Sequence, residues 1–98
     1  MAATRTTLPT RTASRYITRL CAHWRHKFAV QGDDTQALIP FGIDNGNATC
    51  RLVAGDTGLA VTVDAPESDL DRWEGVLLRH LQRFAPRGED LRLEWTRG

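Results

Sequence analysis

Ala48-Thr49-Cys50-Arg51-Leu52-Val53-Ala54-Gly55-Asp56-Thr57-Gly58-Leu59-Ala60-Val61-Thr62-Val63 decides the fold. Ala48, Cys50 and Leu52 stand at every second position, as do Leu59, Val61 and Val63, and period two marks a strand with one buried face. Gly55-Asp56-Thr57-Gly58 between them has the composition of a hairpin turn. The period then changes. Pro66 opens a segment in which Leu70, Trp73, Leu77, Leu81 and Phe84 recur at three- and four-residue spacing, the apolar stripe of an α-helix. Glu67, Asp69 and Asp71 in its first turns and Arg79 and Arg83 near its end complement the helix dipole. A hairpin followed by such a helix must bury its apolar face against the helix stripe, which implies a layered α+β domain.

Working outward, residues 4–8 predict a first strand that Pro9 ends. Thr12 or Ser14 caps a helix running to about His26, with Ala13, Tyr16, Ile17, Leu20 and Trp24 on one face. Phe28-Ala29-Val30-Gln31 reads as a strand and Gly32-Asp33-Asp34 as a tight turn. Ala37, Ile39 and Phe41 alternate inward on the next strand, where Pro40 marks an edge or a bulge. Residues 42–47 form a loop. After the second helix, Pro86-Arg87-Gly88 is a break, and Leu91, Leu93 and Trp95 make the last strand. The expected order is β-α-β-β-β-β-α-β: a two-layer α+β fold with two helices on one face of a mainly antiparallel sheet. Nothing divides residues 1–98, so they predict a single domain.

A chain of 98 residues buries only a little over ~60% of its unfolded surface and needs its large apolar groups inside. The reading places all seven aromatics (Tyr16, Trp24, Phe28, Phe41, Trp73, Phe84, Trp95) inward. The net charge of +1 conceals an asymmetry, because the first 32 residues carry six Arg and Lys and no acid. A Thr- and Arg-rich, acid-free start resembles a transit peptide in composition. Its removal would take a strand and a helix from the domain, so it is read as structure. No apolar run follows Met1 as a secretory signal requires, and none approaches the ~20 residues of a membrane span. The expectation is a soluble, cytoplasmic protein. Cys21 and Cys50, each in phase with apolar neighbours, are expected to be buried free thiols.

Several residues carry a resemblance. Arg15-Tyr16, Leu20-Cys21-Ala22-His23-Trp24-Arg25-His26-Lys27-Phe28, then His80-Leu81-Gln82-Arg83-Phe84-Ala85 and the closing Trp95 resemble the bacterial family named domain of unknown function 2218. The likeness runs over nearly the whole chain. It implies a small bacterial cytoplasmic protein with no established activity. It also implies an association with iron or redox metabolism, since related domains are joined to siderophore-interacting flavin reductases. The chain departs from the family after Phe84-Ala85, where Pro86 and Gly88 replace an aromatic.

Candidate chemistry centres on the two histidine motifs. At 100° per residue His23 flanks the first apolar stripe in line with Arg19, and His80 borders the second with Arg83 beside it. If those flanks face, Arg19, His23, His80 and Arg83 form a site for a small anionic ligand, because converging cations need a counter-charge. His23 and His26 lie three apart, as a metal chelate allows, but no Cys-x-x-Cys or His-Glu-x-x-His is present and a closed zinc site needs four donors. No metal is therefore expected. Nor is a cofactor, because Gly42-Ile43-Asp44-Asn45-Gly46 lacks the Gly-Lys-Ser/Thr of a phosphate loop. The acids sit at turns and a helix start, and neither cysteine announces a nucleophile, so no catalytic residue is assigned. Outward strand positions Arg5, Thr7, Gln31, Thr49, Arg51, Thr62, Arg92, Glu94 and Thr96 hold no aromatic on which a base would stack, which argues against nucleic acid. Leu38, Val53 and Ala60, if gathered there, would form part of a homodimer contact. The reading favours a non-enzymatic binding or accessory module. The alternative is a small enzyme or metal-handling protein using His23 and His80.

Overall fold

The computed structural model describes residues 1–98. Its elements follow in the order β1 (Ala2–Pro9), α1 (Ala13–Trp24), β2 (Gln31–Gly32), β3 (Gln36–Pro40), β4 (Thr49–Ala54), β5 (Gly58–Ala65), α2 (Leu70–Phe84) and β6 (Thr96–Arg97). Six strands form one sheet in the order β2-β3-β4-β5-β1-β6, every pair antiparallel, and both helices lie on one face of it. The expected class and element order hold.

Register follows from the period-two pattern. Ile39, Cys50, Val63 and Thr4 stand side by side across four strands, and Ala37, Leu52, Val61 and Thr6 make the next row. All eight are buried. A slip of one residue would turn each to the other face, so the apolar pattern holds the register. Onto these rows α1 lays Ala13, Tyr16, Ile17, Leu20 and Trp24, and α2 lays Leu70, Trp73, Leu77 and Leu81. On the open face Val53 stands beside Ala60, with Thr7 and Gln36 completing their row, and Leu38 is flanked by Arg51. Val53 is 40% exposed and Leu38 partly covered.

Three local expectations are corrected. Residues 28–30 do not pair, and β2 is only Gln31–Gly32. The α1 helix ends at Trp24, and the N–H groups of Lys27 and Phe28 both return to the Trp24 carbonyl, so the chain curls back instead of extending. Leu91, Leu93 and Trp95 likewise form no strand; they pack on the core edge, and only Thr96–Arg97 joins β1. Phe28, Phe84 and Trp95 are half-buried, whereas the other four aromatics are buried as expected. A short 3-10 turn at Glu67–Asp69 precedes α2. Thr12 occupies the cap position of α1, yet its hydroxyl makes no cap bond and faces that of Thr10 at 3.0 Å. At Gly32, φ is +108° and a Cβ would stand 2.2 Å from the Gln36 carbonyl oxygen, so only glycine fits this turn. Asp33 closes the turn by accepting from the Thr35 N–H, the Thr35 hydroxyl and the Gln36 N–H.

Polar anchors hold the irregular C-terminal segment. Gln82 of α2 accepts from the Leu91 N–H at 2.8 Å and donates to the Glu89 carbonyl at 2.6 Å. Glu74 accepts from the buried Thr4 hydroxyl at 2.7 Å and from two guanidinium nitrogens of Arg97 at 3.1 Å, and Arg97 also pairs with Asp71. Burial pushes the Glu74 carboxyl up, but hydrogen bonds from Arg97 and Thr4 and the guanidinium charge outweigh it, leaving it below the usual glutamate range.

Two outcomes are expected. Because its folded value is lowered, Glu74 contributes its full stability above the unfolded carboxylate value and loses it as pH falls through the folded one. Glu74→Gln keeps an acceptor for Thr4 and should lower stability at neutral pH by about 1 kcal/mol, a figure discounted for the half-exposed guanidinium. Urea melts should show the gap closing in acid below the folded value. Cys21 and Cys50 are both buried and unbridged, and burial raises both thiol pKa values. Thiol reagents should modify them only after denaturation; fast labelling of native protein would contradict the packing.

Candidate functional site: a basic, aromatic-floored cleft between the helix ends

The end of α1 meets α2 above the β3–β4 loop, and the three together enclose a cleft of about 560 Å³. Its floor begins with Phe41, the last inward residue of the β3 run. A 3-10 turn at Ile43–Asn45 follows, and Asn45 Nδ2 donates to the Phe41 carbonyl at 2.9 Å, fixing where that ring stands. Trp73 of α2 stacks on Phe41 with centroids 4.3 Å apart and planes at 26°. Trp24 and Phe28 meet the same ring edge-on at 5.2 and 5.0 Å. Offset stacks and edge contacts are the favoured aromatic geometries. The curl after Trp24 places Phe28 in this cluster, where an extended strand would have carried it away.

Basic groups form the rim. His23 comes from the end of α1, His26 and Lys27 from the turn after it, and Arg72 and His80 from α2. The Arg72 guanidinium lies 5.0 Å from the Trp73 ring centre, within cation–π range. The rings of His23 and His80 are 5.0 Å apart, and His80 also lies 4.8 Å from Trp24. His80 Nδ1 stands 2.7 Å from the Val76 carbonyl oxygen. A carbonyl only accepts, so Nδ1 carries the hydrogen, and neutral His80 keeps its lone pair on Nε2. No acid lines the cleft.

The electrostatics follow. His23 is held below the ordinary imidazole range first by partial desolvation, then by the charges of His80, Arg83, Lys27 and His26. Trp73 Nε1 is the one buried side-chain nitrogen or oxygen without a hydrogen-bond partner. Such an orphan costs about 1–3 kcal/mol.

Of the four residues expected to share a site, His23 and His80 both line the cleft. Arg83 acts on His23 electrostatically and, with Arg19, lines a neighbouring depression instead. Cys21 lies elsewhere, in a depression with Arg25, Asp33 and Asp34. Sequence reasoning assigned Phe41 and Trp73 to the core and gave Asn45 and Arg72 no role. The adjacent pair Arg72-Trp73 was the available signal, a cation next to a stripe aromatic.

Residues 5–96 match the family described as "Uncharacterized protein conserved in bacteria (DUF2218)". The chain belongs to the DUF2218 family. It is similar to the NMR structure of PA4090 from Pseudomonas aeruginosa, with 33% identity over 98% of this chain and 96% of that one and a TM-score of 0.79. No curated protein matches it significantly. The family description assigns no activity, and neither finding carries the iron or redox association that the resemblance implies. No helix is long and apolar enough to cross a membrane.

Trp73→Ala should destabilise the fold by about 3–5 kcal/mol, the usual cost of deleting a large buried aromatic, since it unstacks Phe41 and opens the core to the cleft. Urea unfolding reads this directly. A small change in midpoint at unchanged slope would mean that the ring contributes little to the core.

Proposed function

We propose that this DUF2218 protein is a non-enzymatic cytoplasmic binding module whose cleft takes a flat organic anion. The observation that carries the reading is the composition of the wall: five His, Lys and Arg side chains and no acid around an aromatic floor. An aromatic or conjugated ring fits against apolar side chains, and a carboxylate is drawn to the cationic rim. The two unbridged buried thiols favour a reducing compartment. The metal-handling alternative has less support: His23 and His80 are close, but no group of three His, Cys, Asp or Glu side chains is gathered. An iron- or redox-linked ligand rests on family resemblance alone.

The mechanism of recognition is protonic. Free of ligand, His23 favours its neutral form. An anion beside it favours the protonated form, so binding takes up a proton. Affinity therefore rises as pH falls, by up to about tenfold per pH unit where one proton is taken up per ligand. The test is an NMR titration with 2-naphthoate from pH 8 to pH 6. Shifts should appear at the Trp73 indole and both imidazoles, with affinity increasing toward pH 6. His23→Gln should flatten that dependence. An unmoved Trp73 indole, or affinity independent of pH, would overturn the reading.

A further inference from the structure

The cleft is one end of a longer basic seam. On α1, Arg15, Arg19 and His23 stand four residues apart and so lie one above another on a single helix face. On α2, Arg83 stands one turn beyond His80. At the far end of the seam lies a second depression of about 260 Å³, whose wall includes Thr12, Arg15, Tyr16, Arg19, Arg83 and Phe84. No acid lines it. Both ion pairs of the molecule belong to Arg97, so Arg15, Arg19 and Arg83 have no carboxylate partner. Glu89 acts on Tyr16 electrostatically, but it stays outside this wall.

We propose that this arginine trough is a phosphate subsite continuous with the cleft, so that the seam holds one ligand made of a flat ring and a phosphate or diphosphate arm. The proposal rests on the cleft reading for the ring and stands independently for the phosphate. Three guanidiniums from two helices offer planar forks to a tetrahedral dianion, which suits phosphate better than a single carboxylate. Thr12 adds a hydroxyl to the same wall. Arg83 links the halves, lining the trough while its charge bears on His23. The spacing fits one small molecule: Arg19 lies four residues from His23 and Arg83 three from His80, about 4.5–6 Å of helix rise. A single nucleic-acid strand is the poorer occupant. The open sheet face, with Arg5, Thr7, Arg51 and Thr62 outward, carries no aromatic on which successive bases would stack.

Adenosine monophosphate, adenosine and inorganic pyrophosphate are the probes, titrated into the intact protein at constant ionic strength and followed by NMR. Pyrophosphate should shift the Arg15, Arg19 and Arg83 side-chain N–H signals saturably. The monophosphate should shift these together with the Trp73 indole and bind at least tenfold more tightly than adenosine. Arg83→Gln should remove that advantage, each charge-assisted contact being worth about tenfold or more. Arg51→Gln, on the opposite sheet face, should not. Equal affinity for adenosine and its monophosphate, equal effects of the two variants, or arginine shifts reproduced by chloride alone would overturn the trough. Tighter binding of an oligothymidylate than of the monophosphate would also overturn it, in favour of nucleic acid. If pyrophosphate binds while naphthoate does not, the cleft reading fails alone; the reverse result removes only the trough.

Discussion

The stack of Phe41 on Trp73 is the contact on which the functional end of the molecule depends. It ties the end of β3 to the first turn of α2, and Trp24 of α1 and Phe28 from the curl after it close on the same ring. Three elements distant in sequence are thereby fixed by one aromatic cluster. Because both helices converge on Phe41 at this end, His23 and His80 stand 5.0 Å apart. Nothing between the two basic rings draws them together; the apolar floor imposes their proximity. Part of that cost is visible in the lowered pKa of His23.

Charge is segregated along the same lines. The helix seam gathers Arg15, Arg19, His23, Lys27, Arg72, His80 and Arg83, while the acids lie at turns, at Asp64 near the end of β5, along α2 beside Arg97 or in the segment after α2. The near-zero net charge therefore misrepresents the local field. A furrow of one sign with low-dielectric walls concentrates counter-ions, and here it would concentrate anions. The acidic counterpart lies at the other edge of α2, where Asp71 and Glu74 hold Arg97 against the sheet.

The C-terminal segment illustrates how little regular structure a tight attachment needs. Residues 85–95 carry no strand or helix, yet Gln82 takes up two of their backbone groups. Thr6 donates its hydroxyl to the Glu94 carbonyl at 2.7 Å, and Arg97 completes the closure through Glu74. Side chains on α2 and β1 thus replace the ladder bonds that an extended strand would have made. Alternation of Leu91, Leu93 and Trp95 predicts a strand here because the pattern records burial alone, and an irregular segment lying on the core edge buries the same positions.

Fold class, element order, the inward rows of the sheet and both helix stripes were legible because they are periodic, and periodicity is imposed locally by backbone geometry. Cys21 and Cys50 were placed correctly among buried residues on the same ground. The extent of β2 and β6 was not legible, since pairing depends on whether a neighbour lies within reach. Nor was the facing of the two histidine flanks. His23 and His80 each border a stripe whichever way the helices lie, and only their antiparallel placement over the sheet turns those borders toward each other. Phe41 and Trp73 read as core from their spacing, and core they are. That they also floor a cleft follows from where α1 ends and the chain curls back at Trp24, a choice made by the packing of Phe28 on a ring thirteen residues away.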